Sequence, residues 1–135
     1  MFKIDFFILG AQKSGTSTLH EVLRSNSLIA LPENKETHYF SFDEKYKLGY
    51  NWYKSQFSNN GKIYGEVDPS YLYIKKSAKR IKEINSKPKF IIILRKPIER
   101  SFSHYLMSKN RGYEKLSFKE AIDIESSRLE STNIF

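Results

Sequence analysis

A lysine set between two glycines five residues apart, with a run of hydroxyls behind it, is the stretch of this chain most able to do chemistry: Gly10-Ala11-Gln12-Lys13-Ser14-Gly15-Thr16-Ser17-Thr18. Glycines let the main chain turn tightly, successive N–H groups can then converge on one anion, and a helix starting at the end of the loop adds its positive pole. Lysine supplies a full charge at the same place. Such a loop is built as a cradle for a phosphate. The plainer alternative is a strand-to-helix turn whose serines and threonines only cap the helix.

Positioning such a loop takes a strand before it and a helix after it. Phe6-Phe7-Ile8-Leu9 reads as a short buried strand, and from Thr16 onward Leu19, Val22 and Leu23 form one apolar helix face at i, i+3 and i+4. Leu28 to Leu31 predicts a second strand before Pro32, and Ser58-Asn59-Asn60-Gly61 a turn before a strand over Ile63 to Val67. Ile74, Ala78 and Ile81 mark a lysine-rich amphipathic helix, while Phe90 to Leu94 is a continuous apolar run, the pattern of a parallel strand covered on both faces. Pro97 suits the first turn of the next helix, with Ile98, Phe102, Tyr105 and Leu106 as its packed face. A capping box, Ser117 with Glu120, starts a last helix that turns Phe118, Ala121, Ile122 and Leu129 inward. Strands alternating with helices predict an α/β fold with an open, mostly parallel sheet flanked by helices. Ligands of such sheets bind beyond the carboxyl ends of the strands, where the glycine loop and the Leu94-Arg95 junction both fall.

A Walker A loop has the same glycine spacing, but its lysine follows the second glycine and precedes Ser or Thr. Here Thr16 holds that place and the lysine has moved to Lys13, an arrangement that argues against ATP with Mg²⁺. The altered loop resembles the 5′-phosphosulfate-binding loop of the sulfotransferase family, particularly its bacterial and heparan-sulfate-type branch. The segment Ile93-Leu94-Arg95-Lys96-Pro97-Ile98-Glu99-Arg100-Ser101-Phe102-Ser103-His104-Tyr105-Leu106 resembles that family's 3′-phosphate-binding segment. By that resemblance Arg95 and Ser103 grip the 3′-phosphate, a planar guanidinium fork and a hydroxyl donor being suited to its oxygens. Arg100 either assists them or serves as a surface or helix-pairing residue. A third segment, Pro32-Glu33-Asn34-Lys35-Glu36-Thr37-His38-Tyr39-Phe40, is similar to the heparan-type segment in which a glutamate two residues before a histidine and aromatic pair is the catalytic base. That glutamate maps to Glu36, with Glu33 as the local competitor. His38 is either a polar support or a structural histidine, and His20 and His104 read as helix-surface residues.

The resemblance runs from Phe6 to about Leu129 and implies a P-loop NTPase-like sulfotransferase fold over residues 1–135 as one domain portion. It implies transfer of a sulfuryl group from 3′-phosphoadenosine 5′-phosphosulfate to an acceptor hydroxyl, on a carbohydrate or glycolipid. Lys13 and Glu36 would be catalytic, and Gln12, Lys13, Ser14, Gly15, Thr16, Ser17, Thr18, Arg95 and Ser103 would hold the nucleotide, with no metal. Two departures stand out. Heparan-type members place a substrate-site lysine where this chain has Val67 in Glu66-Val67-Asp68-Pro69-Ser70-Tyr71. Family members also continue into another strand and a glycine- and basic-rich segment, whereas this sequence stops at Phe135, so the fold is expected to be incomplete at its C-terminus and the chain a weak catalyst alone.

Composition bounds the alternatives. The sequence has no cysteine, which rules out disulfides and thiolate metal sites and fits a reducing, cytoplasmic setting. Its longest apolar stretches fall far below the roughly 20 residues that span a bilayer, and Asp5 interrupts the N-terminal run, so neither a membrane span nor a signal peptide is expected. The net charge of +8 is concentrated in residues 75–111, with twelve basic and two acidic side chains. That segment is either a solvated helix face or an electropositive surface for anionic ligands. A P-loop kinase-like phosphotransferase would need Mg²⁺ and a γ-phosphate site. A noncatalytic nucleic-acid or polyanion binder would need exposed stacking aromatics, and the spacing of the tyrosines and phenylalanines puts many of them on core faces. Nucleic acid is therefore not expected as a partner. The sequence offers no cluster of His, Cys or carboxylates with metal-ligand spacing, and acceptor choice is expected to lie in loops such as Ser41 to Asn60 and in the region downstream.

Overall fold

The computed structural model describes residues 2–58 and 63–132, which fall into two units, Met1–Leu94 and Arg95–Phe135. The first contains a sheet of four strands, β1 (Phe6–Ile8), β2 (Ile29–Ala30), β3 (Ile63–Val67) and β4 (Lys89–Ile91), in the order β2-β3-β1-β4. Every pairing is parallel. Parallel neighbours need crossovers, and helices supply them: α1 (Thr16–Arg24) between β1 and β2, α2 (Asp43–Tyr46) and α3 (Gly49–Ser55) between β2 and β3, and α4 (Lys75–Ile84) between β3 and β4. A 3₁₀ turn over Pro69–Leu72 follows β3.

The register of β1 on β3 sets Phe6 opposite Gly65 and Phe7 opposite Glu66. A Cβ at Gly65 would lie 2.1 Å from the Phe6 ring, so only glycine admits that ring across the strand. One side of the sheet is filled by aromatics. Phe7, Tyr39, Phe40, Tyr53, Phe57 and Tyr71 form a core cluster with Ile4, Leu9 and Ile81. Tyr39 stacks on Tyr53 with centroids 4.6 Å apart, and Phe40 meets Tyr53 edge-on at 5.0 Å. Such pairs add about 0.5–1.5 kcal/mol each beyond the area they bury.

The second unit consists of α5 (Pro97–Asn110), α6 (Phe118–Asp123) and α7 (Glu125–Thr132). Phe118 packs against Phe102 and Tyr105, each with centroids 5.2 Å away, and the Ser117–Glu120 capping box forms at the start of α6. Arg128 pairs with Glu114 at 2.5 Å, which holds α7 to the turn before α6 and lowers the Glu114 carboxyl to about 2.

The expected strands and most helices are present, with several corrections. The segment from Ser41, read as a loop, carries α2 and α3, and α3 delivers Tyr53 to the core. The expected turn at residues 58–61 lies largely outside the described residues. On α1 it is Thr16 and His20 that are buried, while Val22 is 61 % exposed; His20 is not a surface residue. On α4, Ser77 and Ile81 face inward and Ala78 is exposed. The Phe90–Leu94 run is not covered on both faces: β4 is the sheet's edge, and Phe90, Ile92 and Leu94 stay open among the described residues. Ile98, Phe102 and Leu106 on α5 are likewise exposed, and the single last helix is broken at Ile124.

Candidate active site

The glycine loop leaves the end of β1 and is pinned to the chain after β4. Ala11 N–H donates to Ile93 O at 2.6 Å and Ile93 N–H to Gly10 O at 2.7 Å, prolonging the β1–β4 pairing. Gly10, Lys13 and Gly15 have φ of 113°, 68° and 94°. For lysine that is a sparsely populated region, held here only because the loop over-determines it. Gly10 also passes close to Pro69, where a Cβ would stand 3.2 Å from the proline. Gly15 caps α1 with no side-chain hydrogen bond, so the first-turn amides after it receive no side-chain acceptor from the cap. The Ser14 hydroxyl oxygen is buried without a hydrogen-bond partner. Buried polar atoms are seldom left so.

A chain of polar contacts leads from this loop to the second sequence-predicted group. Lys35 Nζ lies 2.9 Å from Ser17 Oγ and 2.9 Å from Glu36 Oε1. Glu36 Oε2 faces His38 Nε2 at 3.8 Å, and His38 Nδ1 lies 3.1 Å from Asp68 Oδ2. Asp68, at the end of β3, has no exposed surface and also accepts the main-chain N–H of His38 at 3.0 Å. Its other oxygen takes Ser70 N–H at 2.9 Å and the Ser70 hydroxyl at 2.6 Å. The hydrogen bond to Asp68 is the largest influence on His38 and raises its pKa; burial works against it, and the charges of Asp68, Glu36 and Glu66 add to the rise.

Behind this row lies Glu66, fully buried in β3. It accepts from the hydroxyls of Thr37, Tyr53 (2.5 Å) and Tyr71 (2.9 Å). Burial, then the nearby Asp68 charge, pushes its carboxyl up to about 7 against the pull of those three hydrogen bonds. Thr37 sits between Glu36 and His38, so Glu66 moors the segment that carries both.

The structure therefore joins Ser17 to Glu36 through Lys35 and gives His38 a carboxylate on either side. Glu33 is exposed, whereas the two oxygens of Glu36 face Lys35 and His38, which makes Glu36 the carboxylate tied to the loop. Glu36, His38 and Asp68 each bring a donor atom within 4.8 Å of the others. Sequence spacing did not reveal this cluster, since Asp68 follows β3, 30 residues on from His38; the His38 imidazole and the Lys35 ammonium already face its carboxylates. Lys35, Asp68 and Glu66 were not singled out from sequence. Asp68 had one legible signal, its place at the carboxyl end of a predicted strand. In the second unit Arg95 Nε pairs with Glu99 at 3.2 Å, Ser103 is half-buried on α5, and Arg100 donates to Ser101 Oγ at 3.4 Å.

No family model matches the chain. Heparan sulfate glucosamine 3-O-sulfotransferase 5 of Mus musculus and that of Homo sapiens are each 35% identical to it over 124 residues, 86% of this chain and 35% of the relative. Membrane-associated sulfotransferase kil1 of Dictyostelium discoideum is 35% identical over 109 residues, 77% of this chain and 23% of that protein. Among solved structures, a sulfotransferase from Alicyclobacillus acidocaldarius superposes with a TM-score of 0.83 at 30% identity, over 97% of this chain and 60% of that one. The chain thus spans 35% of the length of the first two relatives. A lysine-bearing glycine loop at the end of β1, a glutamate tied to it by Lys35, likeness in sequence to sulfotransferases and likeness in three dimensions to a further sulfotransferase agree: the chain belongs to the sulfotransferase family.

Proposed function

We propose that this protein transfers a sulfuryl group from 3′-phosphoadenosine 5′-phosphosulfate to a hydroxyl of a carbohydrate, with glycolipid headgroups included in that class. The observation that carries the reading is the Ser17–Lys35–Glu36 contact, which sets a carboxylate beside an anion-binding loop. The donor suits the residues present. Ser14 offers a buried hydroxyl lacking a partner, α1 offers first-turn amides with no side-chain cap, and Lys13 offers charge. Gln12, Lys13, Ser14, Gly15, Thr16, Ser17 and Thr18 would hold the 5′ end, and Arg95 with Ser103 the 3′-phosphate.

In this reaction the acceptor oxygen attacks sulfur, its proton passes to Glu36, and the bond from sulfur to the 5′-phosphate oxygen breaks. Negative charge collects on that oxygen, where Lys13 and the loop amides offset it, an electrostatic contribution that grows toward the transition state. The carbohydrate acceptor is supported by the names of the heparan sulfate relatives. The test is Glu36→Gln. Binding of 3′-phosphoadenosine 5′-phosphate, measured by calorimetry, should be retained while transfer of labelled sulfuryl to oligosaccharide acceptors falls roughly 10²–10⁴-fold, the usual contribution of a general base. Wild-type turnover in the variant would remove Glu36 from the reaction, and tighter binding of Mg·ATP than of 3′-phosphoadenosine 5′-phosphate would favour a kinase-like phosphotransferase.

A further inference from the structure

Asp68 makes more contacts with His38 than mooring the chain requires. The carboxylate is fully buried, yet it engages His38 twice through one oxygen, at Nδ1 (3.1 Å) and at the main-chain N–H (3.0 Å). His38 meanwhile sits at φ 56°, a backbone state that a non-glycine residue keeps only when its surroundings hold it there. Ser70 in turn fixes Asp68 through its N–H and hydroxyl, and the Ser70 hydroxyl lies 2.9 Å from Ser41 Oγ. The Phe42 ring lies against the imidazole with centroids 4.8 Å apart. With Nδ1 and one ring face committed, the edge left to do work is Nε2, and it faces Glu36 Oε2.

We propose that Asp68 is a positioning residue for the transfer reaction: by holding His38 at two points it aims the Nε2–H edge of the imidazolium at Glu36, keeping that carboxylate oriented toward the acceptor. The proposal rests on Glu36 being the base. The charged and titratable groups around His38 act consistently. Asp68, Glu36 and, farther off, Glu66 favour the imidazolium, while Lys35 occupies the other oxygen of Glu36, and the Tyr73 hydroxyl has its pKa raised by burial and then by Asp68 and Glu36. His38 itself neither gives nor takes a proton during the transfer; only Glu36 does.

The experiment combines Asp68→Asn, His38→Gln and the double variant in the full chain. Asn keeps an oxygen to accept the Ser70 N–H while losing the charge. The titration of His38, followed by NMR with its signals assigned against His20 and His104, should lie above the ordinary 6.5 in the wild type and fall in D68N. Transfer should drop roughly 10- to 100-fold in kcat, the scale of a misaimed catalytic group, with affinity for 3′-phosphoadenosine 5′-phosphate unchanged and the alkaline limb of the pH–rate profile moved to lower pH. D68N should add nothing to H38Q. Independent, multiplying losses in the double variant, or a His38 titration that D68N does not move, would overturn the proposal. Where D68N fails to fold, a wild-type His38 titrating at or below 6.5 overturns it alone. Full turnover in E36Q would sink the base assignment and this proposal with it, a case told apart because His38 would still shift in D68N.

Discussion

Replacing Glu66 with Gln should change how stability responds to pH in a way that can be worked out beforehand. Glu66 has no exposed surface, and its carboxyl is pushed from the ordinary 4.5 to about 7, first by burial and then by Asp68. Since the folded state holds the proton more tightly than the unfolded chain, folding takes up a proton between these two values. Stability contributed by this group is therefore complete below about pH 4.5 and is lost as pH rises through about 7. Each pH unit between the two pKa values is worth about 1.4 kcal/mol, so the loss is on the order of 3 kcal/mol. Asp43 and Glu114, both pushed down to about 2 by their hydrogen-bonded cations, act in the opposite sense and at lower pH. His38, raised by Asp68, adds a loss of the same sign at the upper edge of the window, and it is present in both proteins. Gln cannot titrate, yet it keeps an oxygen for one of the three hydroxyls that now converge on Glu66, and the tyrosine hydroxyls can turn to accept its N–H groups. Denaturant unfolding at pH 5 and at pH 8 should show wild type losing stability between the two and E66Q losing far less. Equal losses in both would show that Glu66 is not held neutral by its burial.

Three further outcomes are expected. Lys13→Ala should reduce sulfuryl transfer much more than it weakens nucleotide binding, because the charge it offsets develops mainly in the transition state; a matched loss in binding and kcat/KM with kcat intact would assign it to ground-state binding alone. Arg95→Ala should abolish most of the preference for 3′-phosphoadenosine 5′-phosphate over AMP, a gap of a few kcal/mol from about two charge-assisted hydrogen bonds, and calorimetry showing that preference intact would place the 3′-phosphate elsewhere. Gly65→Ala should cost roughly 1–3 kcal/mol of overpacking against the Phe6 ring, measured by denaturant unfolding, and Phe6→Leu in the same chain should restore part of it; an unaffected G65A would mean that the ring moves aside freely.

Much of the frame was legible because it depends on local rules. Lys13 between Gly10 and Gly15 announces an anion loop through main-chain geometry alone, and the strand-loop-helix around it follows from the apolar run Phe6 to Leu9 and from the spacing of Leu19, Val22 and Leu23. Ser117 and Glu120 form their capping box within four residues of each other, and the strand over Ile63–Val67 lies where the preceding turn residues put it. The likeness of three separate segments to one family then fixed the order of the site's parts along the chain.

Burial and long-range pairing belong to the tertiary structure. His20 lies on a helix whose apolar periodicity points elsewhere, and only packing decides that it is buried while Val22 is open. The exposure of Phe90 and Leu94 likewise depends on what packs over β4 and the chain after it, which an apolar run does not record. Asp68 is 30 residues from His38 and Glu66 is 29 from Thr37. Those pairs exist because β3 lies beside β1 and ends under the segment carrying Glu36. A carboxylate's chemistry depends on what has displaced water around it, and no local spacing records that. The sequence by itself determined which groups could bind an anion or take a proton. The fold determined that Lys35 would join Ser17 to Glu36, and that His38 would be held between Glu36 and a buried Asp68.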